Sequence, residues 1–359
     1  MGGTFSKNVN LTSEVTEVSL SHFDDLHRMV GKSPYSNAYV VQHKKSKKLY
    51  TLTYIDKKLC VRYKSAAKII QERRLLEEVD HPFLVNLHYA FQDDKNCFFV
   101  LDLMLGGDLR YHLRTKGGFP ESVVRFWTTE LASGLVYLHS KGIMHRSINS
   151  SNILLDAKGH AALTDLKTAT HYSQDRMHTS VVGSIGHMAP EMVDEKRPGY
   201  SWQVDWWSLG VCLFELLWNR RPFVGNTEEE LRDNIMTLPI TIPTQSHDAV
   251  SSECTAALLG LLERDPKERL GCGTGFSSID EIQSHRWLSQ INWEKLQAKQ
   301  LDPPFVPNPD GHNYVFHHFC DFTGDRDLET LKPGIRQLEI EHGYKSFPLI
   351  DLAPHDSRS

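Results

Sequence analysis

His145-Arg146-Ser147-Ile148-Asn149-Ser150-Ser151-Asn152 follows a stretch in which Val124, Trp127, Leu131, Leu135 and Leu138 recur at helical steps and which stops at Lys141-Gly142. A long, largely apolar helix therefore delivers the chain to a polar loop. After it come, in order, Thr164-Asp165-Leu166, Met188-Ala189-Pro190-Glu191, Asp205-Trp206-Trp207-Ser208-Leu209-Gly210 and Arg264-Asp265-Pro266 with Arg269-Leu270. Upstream, Phe23 to Lys57 alternates apolar and polar residues, as in Ala38-Tyr39-Val40-Val41 and Leu49-Tyr50-Thr51-Leu52, between turn-prone segments. That pattern predicts an antiparallel meander. From Ser65 to Val79 the apolar residues Ala66, Ile69, Ile70, Leu76 and Val79 predict one amphipathic helix that ends before His81-Pro82. Two short strand-like runs, Phe83 to His88 and Cys97 to Leu103, precede Gly106-Gly107 and a helical remainder. A β-rich first lobe thus passes through Asp102 to Gly107 into a helical second lobe that runs to about Trp287.

The chain has 359 residues, more than one hydrophobic core usually serves, with 40% hydrophobic and 24% charged residues of an ordinary globular composition. Forty Lys and Arg against 45 Asp and Glu give a net charge of −5, so no basic excess is present to gather nucleic-acid phosphates. The six cysteines, Cys60, Cys97, Cys212, Cys254, Cys272 and Cys320, form no CxxC and read as reduced thiols without a zinc site. No run reaches the ~20 apolar residues of a membrane span: Asp102 interrupts one candidate, and Asp205 and Glu215 another. Met1-Gly2-Gly3-Thr4-Phe5-Ser6 fits the pattern for myristoylation at Gly2. With Lys7 as the only basic residue nearby and no cysteine for a second lipid, the expectation is a cytoplasmic protein with weak, reversible membrane contact.

The ordered motifs around His145, Asp165, Glu191, Asp205 and Arg269 resemble the landmarks of the eukaryotic protein-kinase C-lobe. The resemblance covers about residues 20 to 290. Pro303-Pro304-Phe305-Val306-Pro307 is similar to the C-tail of AGC-type serine/threonine kinases. His81-Pro82-Phe83-Leu84-Val85-Asn86-Leu87 and Leu105-Gly106-Gly107-Asp108-Leu109-Arg110-Tyr111-His112-Leu113, with the amino-terminal Met-Gly-Gly, look closest to the myristoylated AGC subgroup called YANK. The resemblance implies an α+β, two-lobed protein-kinase-like fold: a segment 1–20 with the myristoylation motif, an N-lobe 21–103, a C-lobe 104–290 and an AGC-like tail 291–359.

The pattern breaks where the chemistry sits. Phosphoryl transfer asks for phosphate positioning, a cation on the phosphates, metal ligands and a group that orients the substrate hydroxyl. In the glycine-rich loop, Gly31-Lys32-Ser33-Pro34-Tyr35-Ser36-Asn37-Ala38 keeps only Gly31, and Pro34 removes an N–H. Thr53 stands where the family carries its phosphate-binding Lys, so Glu72, the matching helix acid, is retained without that cation. In the loop pattern H-R-D-x-K-x-x-N, Ser147 replaces the base Asp and Asn149 replaces the Lys. A positioned base contributes about 10²- to 10⁴-fold, and a serine does not accept the proton at neutral pH.

Asp165 and Asn152 match the family's Mg2+ ligands. The Gly of D-F-G is Lys167, whose chain either occupies the phosphate region or points to solvent. Leu76, Leu87, His145 and Leu166, tethered by Asp205, match the apolar stack of the family's core, and Glu191 with Arg269 its buried ion pair. Val30, Gly31, Ala38, Thr51, Leu154 and the hinge Asp102 to Met104, with Leu101 as gatekeeper, would line the adenine slot. Thr179 and Ser180 lie where AGC kinases carry an activation phosphosite facing Arg146, although a solvated loop accounts for them equally. Asp108 and Glu215 match acids that read basic substrate residues in relatives, or are a helix cap and a helix-end acid, while Ser151 replaces a third such acid.

The resemblance therefore implies a catalytically impaired kinase-like protein, a pseudokinase that serves other signalling proteins or kinases as scaffold or allosteric partner. ATP and Mg2+ are its expected ligands, with weakened binding. The rivals are a working serine/threonine kinase that recruits Lys32 or Lys167 as its cation, and an ATP-sensing module without turnover. Tyr344-Lys345-Ser346-Phe347 weakly resembles a hydrophobic motif expected to dock near the Ser65 to Val79 helix, with Pro303 to Pro307 packing across the lobes.

Overall fold

The computed structural model describes residues 18–173, 177–243, 249–273, 278–308 and 350–351. Gly2, Cys320 and Tyr344-Lys345-Ser346-Phe347 lie outside the described residues.

Strands β1 (Phe23–Lys32), β2 (Ser36–His43) and β3 (Leu49–Asp56) form the expected meander. After them come helices α1 (Lys57–Arg62) and α2 (Ala66–Glu78), then β4 (Leu87–Gln92) and β5 (Asn96–Leu101). The sheet order is β1-β2-β3-β5-β4, antiparallel at every step. Its faces follow the two-residue period of a strand. Tyr50, Leu52, Phe98 and Val100 join Phe23 and Phe91 in one cluster, whereas the intervening Ile55, Cys97 and Phe99 face the main core with Ile69 and Leu76 of α2. Helix α1 was not legible as a helix; Asp56 caps it, its carboxylate accepting from Leu59 N at 2.8 Å.

Phe83 to His88 is a strand only at its end. Leu84 instead makes an isolated bridge with Leu163 of the helical lobe, where Val85 N donates to Leu163 O at 2.9 Å. This run is apolar because it is buried between the lobes, which is why periodicity could not distinguish it from a strand.

The second lobe contains β6 (Gly107–Asp108), α3 (Leu109–Lys116), α4 (Glu121–Ser140), β7 (Ile143–Met144), β8 (Ile153–Leu155), β9 (Ala161–Leu163) and β10 (Thr170–His171). Helices α5 (Pro190–Val193), α6 (Val204–Trp218), α7 (Glu228–Thr237), α8 (Ser252–Leu261), α9 (Ser278–Ser284) and α10 (Trp293–Gln297) follow. Helix α6 is buried on nearly all sides, as its apolar sequence requires, and it carries Asp205 at its start. The expected α+β, two-lobed fold is present.

Phe305 docks on the helical lobe. Its ring centroid lies 5.2 Å from His112 and 5.4 Å from both Phe119 and Trp127. A Cβ on Gly106 would lie 2.7 Å from Pro307 Cγ, so the small residue admits the segment to the inter-lobe linker. The described part of the tail thus rests on the helical lobe and the linker. Farther on, β11 (Ile350–Asp351) pairs antiparallel with Ala90 and Tyr89 at the β4 edge.

Candidate functional site

Asp205 organises the catalytic loop. Its carboxylate accepts from His145 N (Oδ2) and Arg146 N (Oδ1), each at 2.8 Å, and meets His139 Nε2 at 2.9 Å. Burial alone would raise its pKa, but these donors and the neighbouring imidazoles hold it below the usual carboxylate range. His145 is fully buried, with Nε2 3.0 Å from Thr164 O. Leu76, Leu87 and Leu166 lie in the same continuous core, so the apolar stack and its tether are assembled.

Within this frame Ser147 occupies the base position. Its carbonyl accepts from Asn149 Nδ2 at 3.1 Å and Asn152 Nδ2 at 2.8 Å, and its hydroxyl lies 3.1 Å from the same Asn152 amide. The loop closes on itself through neutral hydrogen bonds. Arg146, with φ of +67°, sends Nη1 to Ser180 Oγ at 3.1 Å and to Tyr200 OH at 3.2 Å. Thr179 is exposed beside it.

The polar centre is built around Lys167. Its ammonium lies 3.0 Å from Asp165 Oδ1 and 3.9 Å from Glu72 Oε1, which answers the open question of where this chain points: inward. Glu72 shares a buried helical face with Ile69 and Leu76. Burial pushes its carboxyl up to about 7, with Asp165 adding to the rise and Lys167 opposing it. At Asp165 burial also acts upward, yet the Lys167 charge prevails and the carboxyl stays below its ordinary value. Burial disfavours the Lys167 ammonium, but the two carboxylates outweigh it and raise its pKa. One cation thus serves both acids.

Asp165 and Asn152 are oxygen-bearing side chains of the kind Mg2+ takes, and both already have partners within the chain. The ammonium of Lys167 stands on the Asp165 carboxylate, and the Asn152 amide is turned to Ser147. A divalent ion at Asp165 would face that ammonium at close range. Among the described residues no group of three or more His, Cys, Asp or Glu is placed to hold a metal.

Ser33 shapes the loop between β1 and β2. Its hydroxyl accepts from Ser36 N at 3.0 Å and Tyr35 N at 3.4 Å, and pairs with Ser36 Oγ at 2.7 Å. Backbone N–H groups that would face phosphate are therefore used internally. Tyr35, not anticipated as a site residue, packs against the main core. Burial raises its phenol's pKa. The Ser33-x-x-Ser36 spacing was the sequence signal for this turn.

Thr53 lies on β3 opposite Ala38 and Phe99, while Thr51 lies opposite Val40 and Leu101. Gly31 pairs with Ala38 across β1 and β2, and Val30 is buried. Leu101 and Leu154 pack around Met104, Val85 and Ala162, an apolar patch consistent with a flat ring ligand. Asp102 differs from the rest. Its carboxylate turns toward β4, meeting His88 Nε2 at 2.7 Å and accepting from Asn86 Nδ2 at 2.8 Å, and its backbone N donates to Asn86 O at 3.1 Å. Asp108 caps α3, accepting from Tyr111 N at 2.7 Å. Glu215 accepts from Ser150 Oγ at 3.1 Å and from Arg221 Nε at 3.2 Å, with His187 Nε2 at 3.4 Å. Neither Arg221 nor His187 was singled out from sequence.

Cys60, Cys97, Cys212 and Cys254 are buried free thiols and Cys272 is a half-buried one. Among the described residues no helix is long and apolar enough to cross a membrane.

A family model described as Protein kinase domain matches residues 25–288. Human serine/threonine-protein kinase 32B is 37% identical over 311 residues, covering 86% of this chain and 73% of that protein. Mouse serine/threonine-protein kinase 32C is 38% identical over 295 residues, and the alignment covers 81% of this chain but only 59% of that longer protein. Serine/threonine-protein kinase Sgk1 of Danio rerio is 37% identical over 322 residues, covering 89% and 72% of the two chains.

Proposed function

The chain belongs to the protein kinase family, and from that premise we propose that it is a catalytically impaired member that acts on other signalling proteins as scaffold or allosteric partner. Kinase domains bind ATP and Mg2+, and here we propose that both bind weakly. The observation that carries this reading is the Lys167 ammonium 3.0 Å from Asp165 Oδ1, which gives the carboxylate a resident counter-charge. Ser147 adds the second deficit, because no carboxylate stands on the catalytic loop to take a hydroxyl proton, a loss of about 3 to 5 kcal/mol of barrier lowering. Ser33 adds the third by engaging the loop N–H groups.

The residues keep several functions that need no turnover. The apolar patch at Leu101, Met104 and Leu154 can hold a ring, and Arg146 with Tyr200 surrounds Ser180, so phosphorylation there would order the segment. We place Gly2 acylation, weak membrane contact and a cytoplasmic location in the same proposal.

Lys167 within 3.9 Å of Glu72 favours a second reading, a working serine/threonine kinase whose phosphate cation comes from the Asp165 segment instead of β3. Radiolabelled ATP with purified full-length protein separates the two. Under the first reading, transfer is undetectable or several orders of magnitude below an ordinary kinase. Robust turnover that Asp165→Ala abolishes establishes the second. A thermal shift of the size expected at ~100 Kd of nucleotide, about 2.7 kcal/mol, without turnover would instead mark an ATP-sensing module.

A further inference from the structure

Glu215 lies in the last turn of α6 beside the catalytic loop, and the chain itself neutralises it. Ser150, three residues past Ser147, donates to Oε2 at 3.1 Å; Arg221 donates from Nε to Oε1 at 3.2 Å; His187 Nε2 lies 3.4 Å from Oε2. Gly186 makes the seat for the guanidinium. A Cβ at that position would overlap Arg221 Nη1 and stand 3.0 Å from its Cζ and 3.1 Å from its Cδ. Any larger residue at 186 would force the Arg221 guanidinium to shift.

Arg221 spends Nε on Glu215, and its side chain is 36% exposed. Glu215 is its one carboxylate within ion-pair range among the described residues; exposed Arg220 has none. On Oε2 stands the uncharged hydroxyl of Ser150. Half-buried Glu215 is therefore paired by Arg221, and exposed Arg220, next to it in sequence, adds a charge that no described carboxylate balances, so these three groups together carry one net positive charge.

We propose that Arg221 fills, from within the chain, the place at Glu215 that a basic side chain of a bound peptide would take, so that this face selects an acidic segment. The inference rests on the reading that the domain acts by binding protein partners. An incoming arginine would have to displace Arg221 and face Arg220, whereas a glutamate or phosphorylated residue meets free guanidinium N–H donors.

The test uses full-length protein and three fluorescein-labelled serine peptides on one scaffold, carrying paired glutamates, paired arginines or paired alanines before the serine, read by anisotropy. Wild type should bind the glutamate peptide about tenfold more tightly than the arginine peptide, a gap that narrows with salt. Arg221→Gln, which opens Glu215 without shortening the side chain greatly, should erase or reverse that preference. Gly186→Ala, acting from the other side of the contact, should move it the same way. The proposal is overturned if wild type prefers the arginine peptide, if both variants keep the wild-type ranking, or if none of the peptides binds. Labelled-phosphate transfer to the same peptides would refute impaired catalysis while leaving the ranking readable, so the two failures are distinguishable.

Discussion

The ammonium of Lys167 sits 3.0 Å from Asp165 Oδ1, where a glycine in related kinases would present no side chain at all. One residue thereby supplies the cation that Asp165 and Glu72 share.

Lys167→Gly should accordingly leave Asp165 and Glu72 without their shared counter-ion. Since the Asp165 carboxylate is 32% exposed, the cost should be modest, about 1 to 3 kcal/mol. The same variant should gain thermal stabilisation from MgCl2 that wild type lacks, read by differential scanning fluorimetry. Equal Mg2+ responses in both proteins would show that the ammonium does not compete with the ion.

Arg269 forks onto Glu191 with Nη1 at 2.6 Å and Nη2 at 2.9 Å, both residues being buried. Glu191→Ala strands the guanidinium and should cost about 3 to 5 kcal/mol in urea unfolding. Arg269→Lys keeps the charge but loses the fork, so it should also destabilise. A shift below about 1 kcal/mol for both would place the pair outside the cooperative core.

How far the sequence could carry these readings varied by element. The alternation in β1 to β3, the apolar periodicity of α2 and α4, and the Glu191 to Arg269 pairing were legible because each depends on local pattern or on an ordered motif. The inward turn of Lys167 was not, since a flexible side chain takes its direction from carboxylates that only the folded lobes bring together. Arg221 was hidden for the same reason: its position depends on the bare backbone of Gly186, remote in sequence.

Acid should weaken the fold through Glu215. Burial alone would raise its pKa, but His187 and Arg221 outweigh it and bring it from 4.5 to about 2. A depressed folded-state pKa means stability that is complete above the unfolded value of 4.5 and is lost as pH falls toward about 2. Wild type should therefore exceed Glu215→Gln by a few kcal/mol at pH 6, and by progressively less below pH 4.5. A gap that is constant over that range would mean the carboxylate is not specially held.

Removing the tail after Leu301 should expose the pocket formed by His112, Phe119 and Trp127 around the Phe305 ring. Because Phe305 is half-buried, Phe305→Ala should cost about 2 kcal/mol and lower Tm by several degrees. An unchanged Tm after truncation would make this contact dispensable.

Restoring catalysis requires more than restoring the missing residues one at a time. Thr53→Lys returns a cation to β3, and Ser147→Asp returns a group that orients the acceptor hydroxyl, but Lys167 would still hold Asp165. These groups act as a unit, so single reversions should each give little. Thr53→Lys with Ser147→Asp should recover some phosphotransfer, and adding Lys167→Gly should recover more by freeing the carboxylate. Ser33→Gly and Ser36→Gly should improve it further, because they release the N–H groups that the Ser33 hydroxyl now engages. The signal counts as restored catalysis only if Asp165→Ala removes it. If the fully reverted protein binds ATP in a thermal shift yet transfers no phosphate, the deficit lies in the relative placement of the lobes and not in these side chains; if it does not bind ATP, Tyr35 packed against the core toward Ser65 is the next residue to remove.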